Sequence, residues 1–304
     1  MDNEAGKQPS LRTLPCPICR NLLVPTQEEQ VSAKEYEDCR RRCDSCGVGL
    51  SNSSEPTTIY RNPEHNVPIE VRDGCREVLS HALNERNRQP KIARFGFSTS
   101  EDALTWTVFT HLAHTSQLGR VFSSFDVLDA APRTETLLLW GVPVPPTSIA
   151  EQQIHNQLVA ICNDLDEDRT SRSEPDVIVD CGRSGVIVVE VKYRSANSTE
   201  ERVEKFDKYV NRTDLFANVE SVRRSGPYEL VRNWRVGSEL ALDRPFTLVN
   251  LVMQNDQRRA MKSFRSGIAT SHVSQFIEIT WRDFVGKFLL PVWLKSYLEQ
   301  KGII

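Results

Sequence analysis

The sequence predicts an α/β protein, a mixed central sheet flanked by helices, preceded by a small cysteine-held module. Five of the eight cysteines lie within the first 46 of 304 residues, a shift that marks a separate head. Beyond it, β-branched runs at Val177–Val179 and Val186–Val191 and an apolar run at Phe246–Met253 read as strands. Apolar residues at helical spacing alternate with them, at 100–118, 149–165 and 228–242.

Composition sets the outer limits. With 39% hydrophobic and 26% charged residues and a net charge of -3 from 38 basic and 41 acidic side chains, the chain reads as a soluble globular protein. No apolar stretch approaches the ~20 residues of a membrane span, so no membrane partner is expected. The opening MDNEAGKQPS has no secretory pattern, which places the cysteines in a reducing, cytoplasmic setting and points to metal or core packing rather than disulfides. Near-zero net charge excludes a chain coated with basic residues but leaves room for a local basic groove.

In the head, Cys16-Pro-Ile-Cys19 and Cys43-Asp-Ser-Cys46-Gly47 form two C-x2-C pairs with 23 residues between them. Such pairs supply the four sulfurs that tetrahedral Zn2+ prefers, and they resemble zinc-ribbon knuckles. Cys39 competes with Cys43 for the third position, and the tight two-residue spacing favours Cys43. A head of this size buries little apolar surface, so a structural Zn2+ would supply much of its folding free energy. Arg40, Arg41 and Arg42 read either as phosphate contacts or as a solvated face. The expected organisation is a zinc-ribbon-like module over 1–55, a linker and bridging helix over 56–95, with the helix from about Ile69 to Arg86, and a larger domain over 96–304.

In the larger domain, Ser98 and Glu101 have capping-box spacing before a helix from about Ser100 to Leu118. The β-branched runs flank Cys181-Gly-Arg-Ser-Gly185, which reads as a β-hairpin. If Cys181 and Gly185 close the turn, Asp176 lies opposite Glu190. Strand alternation then puts Glu190 and Lys192 on one face and Ile187, Val189 and Val191 on the other. Two facing carboxylates repel unless a cation sits between them, and carboxylates with water and phosphate suit Mg2+ or Mn2+. Without a ligand, Asp176 is a strand-start residue, and Glu190 and Lys192 are a surface pair.

Pro175-Asp176, followed after 13 residues by Glu190-Val191-Lys192, resembles the motif of the PD-(D/E)XK, or restriction-endonuclease-like, nuclease superfamily. The strings SEDALTW (100–106), LLLWG (137–141), EPDVIV (174–179) and EVKYRSANS (190–198) look like a bacterial subgroup of it, and the likeness covers about 96–290. The resemblance implies that Asp176, Glu190 and the Val191 carbonyl hold Mg2+ or Mn2+. It implies that Lys192 orients the attacking water and that Glu101 contacts the metal or its waters, although helix capping alone would explain Glu101. It further implies an endonuclease cutting DNA rather than RNA, in prokaryotic defence.

Downstream, a helix is expected over Thr199–Val210, carrying Lys205 or Tyr209 toward phosphate. Another is expected over Tyr228–Leu242, then a buried strand, an edge strand over Phe276–Thr280 and a C-terminal helix from about Arg282. Trp234 and Trp281 read as core, and His111, His114 and His155 as structural. Phosphate-loop, dinucleotide, nucleophile-elbow and H-E-x-x-H motifs are absent. The low basic excess implies weak hold on bulk DNA, so a protein partner or homo-oligomer is expected. The competing readings are a catalytically silent nucleic-acid-binding fold and a protein-interaction subunit.

Overall fold

A computed structural model of the chain describes residues 11–27, 31–128, 132, 135–145, 153–197, 206–225, 227–255 and 258–304. It divides into two compact units, one running to Asn66 with Ile92–Ser100 added, the other comprising Val67–Lys91 and Glu101–Ile304.

The first unit is built from two knuckled hairpins. β1 (Leu14–Pro15) pairs with β2 (Leu22–Leu23), and β3 (Arg41–Cys43) with β4 (Val48–Leu50), both antiparallel. Each C-x2-C pair forms the tip of one hairpin and closes alike. The Arg20 amide donates to the Cys16 carbonyl at 3.0 Å, and the Gly47 amide to the Cys43 carbonyl at 2.8 Å. The closing residue is left-handed both times, Arg20 at φ 67° and Gly47 at φ 61°. A further strand, β5 (Thr58–Tyr60), completes a three-stranded sheet with β3 and β4. It lies in the stretch expected as linker, because only Ile59 of its three residues is buried and polar neighbours mask the pattern.

In the second unit the expected helix from Ile69 to Arg86 is broken up. A 3-10 turn at Ile69–Val71 precedes α1 (Cys75–His81), and another at Glu85–Asn87 precedes α2 (Arg88–Phe95), whose last residues belong to the first unit. Gly74 at φ 79° and the extended Ala82 interrupt the helical path. α3 (Glu101–His114) and α4 (Leu118–Ser123) follow, divided by the left-handed Ser116. β6 (Thr136–Leu139) and β7 (Val142–Val144) form a hairpin, and α5 spans Gln153–Asp164. β7 carries Pro143, which is tolerated because β7 is an edge strand.

β8 (Val177–Asp180) and β9 (Val186–Val191) are the expected hairpin, with register Val177 to Val189 and Asp180 to Val186 and the Cys181 amide donating to the Gly185 carbonyl at 2.9 Å. α6 (Asp207–Val210), α7 (Val219–Ser225) and α8 (Tyr228–Ala241) lead to β10 (Phe246–Val252). Then come α9 (Arg259–Gly267), β11 (Ser274–Thr280), α10 (Trp281–Val285) and α11 (Val292–Gln300). Of the helix expected over Thr199–Val210, residues 199–205, including Lys205, lie outside the described residues.

The six-stranded sheet has order β11-β10-β9-β8-β6-β7. β9, β10 and β11 pair in parallel, and β9, β8, β6 and β7 in antiparallel fashion, so the sheet is mixed. One core joins Ile178, Val186, Val188 and Leu248 of the sheet to Leu158 of α5 and to Val231 and Trp234 of α8. Trp281 is likewise fully buried. Among the described residues, no helix is long and apolar enough to cross a membrane.

Candidate functional site

Hairpin register fixes the geometry at one end of the two central strands, β8 and β9. Asp176 stands one residue before β8 and Glu190 one residue before the end of β9, so the ladder sets them opposite each other. The Val191 amide donates to Asp176 Oδ2 at 2.8 Å, and the Trp140 amide to the Asp176 carbonyl at 3.2 Å, anchoring Asp176 on both sides. Lys192 Nζ donates to Glu190 Oε1 at 2.6 Å, and both side chains are buried. The Lys192 backbone is fixed too, its amide donating to the Leu251 carbonyl at 2.8 Å and its carbonyl accepting from Trp281 Nε1 at 3.2 Å. Glu101, first residue of α3, accepts from the Tyr193 amide at 2.6 Å and from Ser195 Oγ at 3.0 Å. Its carboxylate therefore grips the segment leaving β9.

Burial, then the charge of Glu190, pushes the Asp176 carboxyl well above its ordinary range, with Glu101 adding to the effect and Lys192 and Lys91 opposing it. Burial also raises Glu101, against the pull of Lys192 and the Tyr193 amide. Burial alone would lower Lys192, but Glu190, Asp176 and Glu101 reverse this and hold it above its usual value. Lys192 is thus an ammonium at neutral pH, a donor and a positive charge rather than a base.

Several neighbours of this group carried no signal in the sequence motif. On α8, Asn233 Nδ2 donates to Glu190 Oε2 at 2.7 Å and is fully buried. Glu229, one turn earlier, has its carboxyl raised by burial and by Glu190. Lys91 lies 2.8 Å from Glu174 Oε1 and 3.3 Å from Asp102 Oδ1, with its ammonium 4.8 Å from the Trp140 ring centre. Their partners are distant in sequence, so only tertiary packing brings them to the group.

Tyr209, expected near phosphate, instead donates to Glu167 Oε1 at 2.7 Å within a buried cluster. His155 is likewise structural, its Nδ1 2.6 Å from the Gly141 carbonyl.

In the first unit, the sulfurs of Cys16, Cys19, Cys43 and Cys46 all lie within 4.8 Å of one another and can hold a metal ion. The Asn21 amide, with Cys46 and other thiols of the cluster, brings Cys19 down to about 7, toward the thiolate that binds metal. Cys39 stands apart. Its thiol donates to the Glu35 carbonyl at 3.5 Å, burial pushes it up to about 12, and Gly49 leaves it room, a Cβ there falling 2.7 Å from its sulfur. Arg41 is buried and donates to the Ser51 carbonyl at 2.7 Å, while Arg42 pairs with Glu37 at 3.1 Å. Arg40 donates to the Thr26 carbonyl, so all three candidate phosphate contacts are already engaged in bracing the head.

Among the described residues, the four cysteines are the one group of three or more metal-ligating side chains so closely gathered. Asp176, Glu190 and Glu101 are instead each held by protein donors. No protein-family model, curated protein or solved structure matches the chain.

Proposed function

We propose that the second unit is a divalent-metal-dependent nuclease hydrolysing phosphodiester bonds of nucleic acid, DNA in preference to RNA, and that the four thiols of the first hold a structural Zn2+. The observation carrying this reading is the half-buried Asp176 beside the buried Glu190 and Lys192, set by one hairpin register, with Glu101 alongside. Its residue pattern resembles the PD-(D/E)XK superfamily, whose prokaryotic members place such an enzyme in defence against foreign DNA.

Burial, and after it the neighbouring carboxylates, raise Asp176 and Glu101, a cost that a bound cation would relieve, and their oxygen donors suit Mg2+ or Mn2+. Asp176, Glu190 and the Val191 carbonyl would hold the ion, which supplies Lewis acidity to the attacked phosphate. Lys192 then orients the water for in-line attack and stabilises the charge developing on the phosphate oxygens as the leaving oxygen departs. Asn233 fixes the Glu190 carboxylate, and Glu101 fixes the backbone of Tyr193 beyond Lys192. The test is cleavage of plasmid, single strands and RNA in Mg2+ or Mn2+. Products that vanish in Asp176→Ala and Lys192→Ala support the reading, and a Lys192→Ala protein cutting at the parent rate refutes it.

One observation favours a second reading, a catalytically silent binding fold. Each carboxylate is already satisfied by Val191, Lys192, Asn233, Tyr193 or Ser195. Binding without products across the same panel would establish it.

A further inference from the structure

Beside Lys192, at the carboxyl ends of the parallel strands β9 and β10, lies a cavity of about 650 Å³. Open α/β sheets bind ligands at this end of their strands, and the volume lies in the range that encloses a small molecule. Lys192, Arg194 and Arg258 line it, and no carboxylate does among the described lining residues. Arg258 Nη2 donates to the Asn197 carbonyl at 3.0 Å, tying the two walls together.

A buried polar ladder ends at this cavity, and its direction can be read. Register sets Glu190, Asn250 and Glu278 side by side on β9, β10 and β11. Glu278, paired with Arg265 at 3.0 Å, is a carboxylate and can only accept, so Asn250 must present Nδ2 to it, at 3.0 Å. Asn250 then has only Oδ1 for Asn197, whose Nδ2 donates to it at 3.1 Å. Asn197 is 2% exposed, and its remaining atom, Oδ1, is buried without a hydrogen-bond partner among the described residues. Two hydrogen bonds away, the Glu278 carboxylate thus dictates that an acceptor oxygen is left over on Asn197, a residue of the cavity lining.

We propose that this cavity receives one unstacked nucleotide of the substrate strand, so that the enzyme acts on unpaired or distorted nucleic acid. This deepens the nuclease reading and rests on it. A buried acceptor repels phosphate and takes an N–H donor, which base edges carry. Met253 offers a soft apolar surface to a base, and Arg194 and Arg258 suit flanking phosphates. A base inside a duplex has its pairing edge occupied and its faces stacked, so it enters such a cavity only after leaving the helix.

The test uses the full-length Asp176→Ala protein, which reads binding without cleavage, and oligonucleotides carrying 2-aminopurine, whose fluorescence rises on unstacking. The expected result is a several-fold rise on binding and tighter binding of single strands than of duplex. Filling the cavity from its exposed rim with Ala196→Trp, or independently with Met253→Trp, should abolish the rise and the preference while weaker binding persists. Binding without a rise overturns the proposal, as does a rise unchanged in both filled variants. Failure to bind any probe overturns this proposal and the nuclease reading together. A rise without products from the Asp176-intact protein in Mg2+ or Mn2+ keeps the cavity assignment and removes the nuclease.

Discussion

Replacing Lys91 by Met tests how the floor of the acidic group is held. The Lys91 ammonium is the counter-charge of Glu174 and Asp102, at 2.8 and 3.3 Å, and the side chains of Lys91 and Glu174 are only 12% and 7% exposed. Burial would lower Lys91, but Asp102, Glu174 and Asp176 hold it above its ordinary value, so the ion pair persists at neutral pH. Removing one member of a buried pair strands the other and costs about 3–5 kcal/mol. Burial already raises Glu174, so uptake of a proton gives it partial relief and favours the lower end. For a unit of this size 1 kcal/mol moves the midpoint by about 2–4 °C, which gives a drop of about 6–12 °C from a loss of about 3 kcal/mol. All five tryptophans lie in the second unit, so thermal unfolding followed by their fluorescence reports that unit alone. The companion Lys91→Met/Glu174→Gln protein should regain much of the loss, because no stranded charge remains. A midpoint for Lys91→Met within about 2 °C of the parent, less than 1 kcal/mol would produce, refutes the reasoning. So does a double variant no more stable than the single one.

Three further outcomes are expected. Purified protein should carry about one zinc per chain by elemental analysis. Cys43→Ser should lose it and Cys39→Ala keep it, and equal loss in both would refute the four-thiol assignment. Gly185, at φ 128°, would bring a Cβ to 2.5 Å from the Pro245 carbonyl, so Gly185→Ala should cost more than about 1 kcal/mol in urea unfolding, and an unchanged midpoint would contradict this. Burial, helped by Arg194, lowers Lys301 to about 7, whereas an unfolded lysine titrates near 10.4. Between those values the unfolded chain binds the extra proton, so this group makes stability rise with pH, by up to about 1.4 kcal/mol per unit. Stability measured at pH 7 and 9 should show that rise in the parent and a smaller one in Lys301→Met. Equal pH dependence in the two proteins would rule the effect out.

Some of this was legible in the sequence for reasons that can be named. The hairpin register followed from the length of the Cys181–Gly185 turn, because strand alternation leaves no freedom once the turn is closed. The cysteine spacing placed four thiols together because a two-residue gap fits a hairpin tip. β7 was hidden by Pro143, which is a strand breaker except at an edge, and edge status is a property of the assembled sheet. Asn233 and Lys91 were hidden because their partners, Glu190 and Glu174, are distant in sequence and are met only through tertiary packing. Asn250 was closer to readable, a single amide inside the otherwise apolar end of Phe246–Val252, and buried strands seldom carry one without a partner.

The hairpin makes the chemistry of this protein a matter of odd and even. Asp176 precedes one strand, Glu190 nearly closes the next, and each residue added within either strand between them rotates one side chain to the opposite face of the sheet. A lengthening of the Gly182–Ser184 turn that leaves the ladder intact changes only a loop. A single residue gained or lost within either strand turns one acid toward the far side and leaves Lys192 with a different neighbour. Length can therefore change at the tip of this hairpin without touching the acid–lysine group, whereas a change of parity along its arms takes the group apart.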